Sequence, residues 1–387
     1  MSSTLSSTLS STLSSPLRIA RLEAFVFRAP IETPVQTSFG IMRDRPAVFV
    51  RVTDTDGVEG WGEIWCNFPT VGAEHRARLV DSVFVPMVEG KRFVSPEMAF
   101  MNLTAQTEVL AIQSAEPGPV AQCIAGIDTA FWDLHARRQK QPLWRLLGGQ
   151  SPKIPVYASG LNPTSPEKLA AQKQAEGYRA FKLKVGFGKE RDVANLKALR
   201  QAIGDLPLMV DANQAWDLET AIEMAEAFEP FGLGWLEEPL RADRPWSEWQ
   251  HLAVSAATSL AAGENLAAFA AFDRALESHA LAVVQPDLAK WGGLTGCLTV
   301  ARKILGHGLR YCPHYLGGGI GLVASAHLLA AAGGDGMLEV DANPNPLRTL
   351  TSGPVEQVTN GFATLGEEPG LGVAPDLHAL REYAIGV

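Results

Sequence analysis

Seven polar side chains recur at nearly even intervals through the second half of this 387-residue chain, each at the C-terminal end of an apolar run: Lys184, Asp211, Glu237, Glu264, Asp287, His314 and Glu339. The gaps between them are 27, 26, 27, 23, 27 and 25 residues, the length of one strand plus one helix. A barrel of eight such units places the end of every strand on one rim, so the seven are expected to converge there. Lysines, clustered carboxylates and a histidine at one rim would perform general acid and base chemistry around a bound cation.

In Phe181-Lys182-Leu183-Lys184-Val185, side chains two apart share a face, which points both lysines into the barrel mouth. Their repulsion is expected to lower the pKa of each, suiting one to act as a general base near neutral pH. Two solvated lysines on an exposed edge would be the rival reading, and the apolar flanks speak against it. Val210-Asp211-Ala212-Asn213 puts an acid and an amide on one face at the next strand end. In Trp235-Leu236-Glu237-Glu238-Pro239, alternation sends Glu237 and Glu238 to opposite sides, and Gly263-Glu264-Asn265 adds a third inward acid. Three unpartnered carboxylates repel strongly. Mg²⁺ resolves that repulsion, since it prefers oxygen ligands and keeps positions open for substrate; pairing of each acid with a lysine is the alternative.

Gln285-Pro286-Asp287 and Tyr311-Cys312-Pro313-His314 bring an acid and a histidine to neighbouring strand ends. There the carboxylate would fix the imidazole tautomer and raise its basicity. The other seven histidines have no such placement and read as structural. Gly317-Gly318-Gly319 reads as a flexible rim turn rather than a phosphate cradle, because no P-loop or dinucleotide fingerprint surrounds it. Glu339 closes the ring; it would donate a proton to a substrate carboxylate if its pKa is raised, with a salt bridge to a rim lysine as the rival role.

The elements that must position these groups follow from the apolar pattern. Strands are expected at Ile154 to Ala158, Phe181 to Val185, Leu206 to Asp211, Gly234 to Glu237, Ser259 to Ala262, Ala282 to Gln285, Gly308 to Cys312 and Gly336 to Val340, with helices between them. Such alternation predicts a parallel sheet, and eight units predict closure into a barrel spanning 151–350. Before it, 17–150 reads as a smaller α+β domain. That domain has strands at Ile19 to Phe27, Ala47 to Val52 and Gly60 to Glu63, a long loop from Ile31 to Arg45, and a helix carrying Ile124, Ile127, Phe131 and Leu134. Segment 351–387 is expected to pack back on it. Residues 1–16 repeat Ser-Ser-Thr-Leu and read as a disordered tail without a secretory signal.

Bulk properties narrow the classes. A content of 46% apolar residues supports large cores, and a net charge of −9 without a basic patch argues against nucleic acid. Cys66, Cys123, Cys297 and Cys312 are scattered and never form C-x-x-C, so a reducing, cytoplasmic setting is expected. No apolar run reaches membrane-spanning length.

Taken together, Lys-x-Lys, Asp-x-Asn, Glu-Glu-Pro, Gly-Glu-Asn and Pro-Asp-x-x-Lys-x-Gly-Gly resemble the enolase superfamily, specifically the mandelate racemase/muconate lactonizing enzyme group. The resemblance covers nearly the whole chain after the serine-rich tail. It implies a modified TIM barrel, (β/α)₇β, with an α+β capping domain built from both chain ends. It further implies Mg²⁺ on Asp211, Glu237 and Glu264, Lys184 as base with Lys182 beside it, and an Asp287–His314 dyad on the opposite face. Asp287 stands where the lactonizing branch has a lysine, and Lys290 is the lysine common to both branches. Glu339 falls where racemase-like members have an electrophilic acid.

The implied chemistry is removal of the proton α to a carboxylate. A sugar acid (aldonate or aldarate) would then lose water to give a 2-keto-3-deoxy acid, whereas a substrate without a leaving group would be racemized or epimerized. A silent barrel that only binds a carboxylate is the third reading. The partner is a small carboxylate, and a homo-oligomer is expected. Specificity is placed in Thr33 to Arg45 and Ile64 to Thr70. There Arg43 or Arg45 would recognise a distal carboxylate, or else form a structural ion pair, while Phe39, Trp65 and Phe68 favour a less polar substrate.

Overall fold

In the computed structural model, which describes residues 16–386, the backbone forms two sheets with helices packed on them. The Ser/Thr/Leu repeat of the expected tail lies outside the described residues, which begin at Pro16. The first sheet is antiparallel. It contains β1 (Leu17–Gln36), β2 (Ile41–Asp54), β3 (Glu59–Ile64) and β4 (Arg92–Phe93). The helix Pro117–Arg138 lies across it, and the approach is so close that a Cβ on Gly62 would stand 2.0 Å from the Gly126 carbonyl oxygen. Glycine is required there by space alone.

The second sheet carries eight parallel strands: β5 (Lys153–Leu161), β6 (Phe181–Lys184), β7 (Leu208–Asp211), β8 (Leu236–Glu237), β9 (Leu260–Ala262), β10 (Val283–Val284), β11 (Arg310–Tyr311) and β12 (Leu338–Asp341). One helix follows each of the first seven, from Pro166–Ala175 through Gly319–Ala332, which is the (β/α)₇β order. The ladder runs from β11 back to β5 and on to β12. The ends meet where Gly336 passes Tyr311, at a point where a Cβ would come within 1.7 Å of the Tyr311 carbonyl oxygen. Tyr157, Met209, Trp235, Val283 and Cys312 fill the barrel floor, with the Tyr157 and Trp235 rings edge to face at 5.6 Å. Burial of each such side chain contributes roughly 1.5–3 kcal/mol.

One expectation is overturned. The stretch Ile31 to Arg45 is not a long loop. β1 and β2 continue as a hairpin to Gln36 opposite Ile41, with a register shift between Pro30 and Val35 that absorbs the prolines. Only Thr37 to Gly40 form the turn, closed by the Thr37 N–H on the Gly40 carbonyl at 3.0 Å. The C-terminal segment divides its strands: β13 (Phe362–Thr364) pairs with β5, and β14 (Ala384–Ile385) pairs with β1. No helix among the described residues is long and apolar enough to cross a membrane.

Candidate active site

All seven periodic side chains are buried; Lys184, Asp211 and Glu237 end β6, β7 and β8, Glu264, Asp287 and His314 lie just past the ends of β9, β10 and β11, and Glu339 sits lower, near the start of β12. Lys184, Glu264 and His314 line one small cavity of about 50 Å³, together with Asn213, Lys290 and residues from the antiparallel sheet. Parallel register explains the convergence, since Lys184, Asp211 and Glu237 stand level on three adjacent strands and so face one interior.

The two lysines part company. Lys184 reaches the cavity and donates to Asp211 at 2.5 Å. Lys182 lies beneath, fully buried, 2.5 Å from Glu237 and 2.7 Å from Glu339. Burial alone would lower the pKa of both, but the Asp211 charge holds Lys184 above the ordinary lysine value, and Glu237 with Glu339 holds Lys182 well above it. The expected depression by mutual repulsion is therefore overturned; carboxylates contributed by other strands outweigh the neighbouring ammonium.

His314 accords with the dyad geometry. Its Nδ1–H donates to Asp287 at 2.7 Å, leaving Nε2 directed at Glu264 and toward the cavity. Asp287 is itself held by the backbone N–H groups of Ala289 and Lys290, at 2.8 and 3.1 Å. Burial would lower the imidazole pKa, but Glu264 and Glu339 raise it well above the ordinary value. Glu339 accepts from Ser159 and from the Tyr315 N–H. Burial pushes its pKa up, Lys182 and His314 outweigh that, and it ends below the usual carboxylate value. It is an ionised acceptor here, so the condition for proton donation is not met.

Glu238 was expected to point away and does not. Its backbone adopts φ +41°, which breaks strand alternation and turns the buried carboxyl onto Asn265 at 2.9 Å. Burial, Glu264 and Asp211 push its pKa well up. A non-glycine residue with positive φ directly before Pro239 is the local signal, though only the backbone reveals it.

Among the described residues no three His, Cys, Asp or Glu side chains stand in ligating geometry. Each carboxylate closes instead on a partner: Asp211 on Lys184, Glu237 on Lys182 and Gln285, Glu264 on Lys290 and His314. The charges nevertheless do not balance. Six buried carboxylates (Asp211, Glu237, Glu238, Glu264, Asp287, Glu339) face four cationic groups (Lys182, Lys184, Lys290, His314), an excess of two negative charges. The polypeptide relieves it by pushing Glu238 well up and Glu237 to about 7, in both cases with burial the largest cause. A hard divalent cation on this all-oxygen donor set would offset the same two charges without those protons, so the residues fit Mg²⁺.

Of the four side chains assigned to substrate, two line the cavity and two do not. Trp65 and Asn213 are in the wall. The Lys290 ammonium lies 4.9 Å from the Trp65 ring, and the buried Asn213 Oδ1 has no hydrogen-bond partner. Arg43 is exposed on the face of β2 opposite Met42 and does not line the cavity. Arg45 is 2% exposed and pairs with Asp341 at the end of β12, which makes it a structural ion pair between the sheets. Sequence reasoning assigned to specificity the segments Thr33 to Arg45 and Ile64 to Thr70, which contain Val35, Thr37, Met42 and Asn67 of the wall, without singling these out, and it missed Leu316. It also missed Glu63 of β3, which fills the glycine turn after His314.

Comparison with known proteins agrees with this fold. Residues 21–148 match the mandelate racemase/muconate lactonizing enzyme N-terminal domain, and 166–379 match the enolase C-terminal domain-like family. The chain is 31% identical over 377 residues to the 3,6-anhydro-alpha-L-galactonate cycloisomerase of Streptomyces coelicolor, covering 95% of this chain and all of that protein. A crystal structure of a mandelate racemase/muconate lactonizing enzyme from Bordetella bronchiseptica RB50 is 57% identical, with TM-score 0.91, covering 95% of this chain and 100% of that one. A racemase from Streptomyces coelicolor with bound magnesium is 29% identical, with TM-score 0.85, over 95% of this chain and 100% of its own. Other relatives include sugar-acid dehydratases, o-succinylbenzoate synthases and an N-succinylamino acid racemase.

Proposed function

The chain belongs to the mandelate racemase/muconate lactonizing enzyme family of the enolase superfamily, a family of enzymes, and on that footing we propose that it removes the proton α to a substrate carboxylate with Mg²⁺ as cofactor. The observation that carries the proposal is the meeting of Lys184 and the Asp287-supported His314 in the wall of one cavity beside Asp211 and Glu264.

Asp211, Glu237 and Glu264 are the residues that would hold the cation, which supplies concentrated positive charge beside the substrate carboxylate. Lys184 Nζ and His314 Nε2 are the two bases. When either gives up its proton it can accept the α-proton, and the electron pair left behind delocalises into the carboxylate as an enediolate. Carbon acids of this kind are far weaker than a lysinium, so charge stabilisation must lower the intermediate by many kcal/mol. Asp287 fixes the His314 tautomer. Lys182 is a positioning residue, holding Glu237 and Glu339 in place from below.

Two fates are open to the intermediate. Loss of a β-hydroxyl gives a 2-keto-3-deoxy acid, the reaction of a sugar-acid dehydratase, and relatives such as arabinonate dehydratase of Saccharolobus solfataricus support it. Return of a proton from the opposite base gives the other stereoisomer. Proton NMR with Mg²⁺ in D₂O separates them: a keto acid establishes elimination, and α-deuterium with inversion establishes racemization. Retention of the α-proton in every carboxylate offered would remove the proposal.

A further inference from the structure

The helix Pro96–Gln113 buries Ala99, Leu103, Thr107 and Ala111, one residue per turn, against its own domain. On the opposite side runs a second apolar stripe, Met98, Met101, Ala105, Val109 and Ile112, within an arc of about 80° at the roughly 100° step of an α-helix. All five are exposed, the four large ones by 42–69%. Asn102, Gln106 and Gln113 rim one edge of the stripe, and Glu97, Thr104 and Glu108 rim the other. Past the second edge an open groove of about 600 Å³ carries the apolar surface on to Val120, Ala121 and Phe269. A helix apolar on both sides belongs in a core or an interface, and a polar-rimmed apolar patch marks the latter.

The stripe is symmetric in sequence. Met101 and Val109 lie four residues either side of Ala105, and Met98 and Ile112 lie seven either side. A two-fold axis through Ala105 would lay the helix antiparallel on its own copy, with Met98 of each against Ile112 of the other and Met101 of each against Val109 of the other. The small Ala105 would then meet itself where the two backbones come closest.

We propose that this face is a two-fold interface between copies of this chain. A folded helix presents its side chains already ordered, so the four large side chains that each copy buries are offset chiefly by lost rigid-body freedom. Residues 1–15 join the fold nearby, at Leu17 beside Phe93, but they offer three leucines, and fixing fifteen backbones costs more than three buried leucines return. A different protein would place no symmetry requirement on the stripe. The two-fold also sets the Glu97 and Glu108 edge beside its own copy, a repulsion that salt screens.

The test uses the full chain. In analytical ultracentrifugation the wild type should be a dimer or an even multiple of one, and added salt should tighten it. Ala105→Arg should weaken association at least about 100-fold and halve the mass, with the far-UV spectrum unchanged. Ala105→Cys under a mild oxidant should give a covalent dimer on a non-reducing gel, because a residue on a two-fold axis meets its own copy, whereas the four native cysteines are buried. Met98→Cys should give none, since its two copies would lie about 21 Å apart along the pair, the rise of the fourteen residues from Met98 to Ile112. A monomeric wild type, a mass unchanged by Ala105→Arg, or equal cross-linking at the two positions would overturn the interface. A monomer that associates only once residues 1–15 are removed would overturn it in favour of that segment.

Discussion

The Glu63 carboxylate on β3 accepts the backbone N–H of Gly318 at 2.5 Å and that of Gly321 at 2.9 Å, so a side chain of the antiparallel sheet fills the glycine turn that follows His314. A Cβ on Gly318 would stand 2.7 Å from that carboxylate, which explains the glycine. The turn is neither a free rim loop nor a phosphate site; it binds an anion that the chain supplies itself, at the N-terminus of the helix Gly319–Ala332. Next door, the Asn67 amide grips Leu316 and the Trp65 N–H reaches the Ala289 carbonyl at 3.3 Å. Residues 63–67 thus tie together the loops that carry Asp287 and His314.

Glu63 gives the fold a pH signature. Burial, partly offset by the Gly321 N–H, raises its pKa from 4.5 to about 7. An acid raised on folding binds more protons in the folded state between the two values, so its contribution to stability is greatest below about 4.5, falls as pH rises to about 7, and is level above that. Urea unfolding at pH 5 and pH 8 should therefore show wild type losing more stability over this interval than Glu63→Gln, by up to roughly 3 kcal/mol. Equal losses in the two proteins would show that Glu63 is not raised.

Arg45 and Arg43 are separable by stability. Arg45→Ala removes the ion-pair partner of the buried Asp341 carboxylate, leaving it the Asn343 hydrogen bonds and the Arg348 charge, and should cost about 3–5 kcal/mol in urea unfolding. Arg43→Ala should change stability by less than ~0.5 kcal/mol and leave KM as it is. A rise in KM for Arg43→Ala would return that side chain to the substrate site.

The periodic residues were legible because each follows a β-rich run at the barrel repeat, a pattern local to the sequence. What was not legible depends on distant partners. The lysine pKa values are set by Asp211, Glu237 and Glu339 on other strands, and the fate of Arg45 is set by Asp341, 296 residues away. The hairpin over the cavity was hidden by Pro30, Pro34 and Gly40, which read as loop until β2 supplies the ladder. Glu238 was misassigned because a strand is taken to alternate, and its positive φ ends that alternation one residue early.

The metal assignment has a direct binding test. Titration calorimetry with Mg²⁺ should give a single site in wild type. Asp211→Asn or Glu264→Gln should weaken it at least about tenfold, roughly 1.4 kcal/mol or more, with the far-UV spectrum unchanged. Chelation by EDTA should abolish α-proton exchange, and Mg²⁺ should restore it. Unaltered affinity in both variants would place the ion elsewhere.

The claim that two bases serve one carbon from opposite faces is tested most directly by exchange of single enantiomers in D₂O. With a substrate the wild type turns over, Lys184→Ala and His314→Asn should each lower inversion by roughly 10²–10⁴-fold. Each should still wash the α-proton out of one enantiomer, and the two variants should retain opposite enantiomers. Loss of exchange from the same enantiomer in both variants, or inversion undiminished in either, would contradict the two-base site.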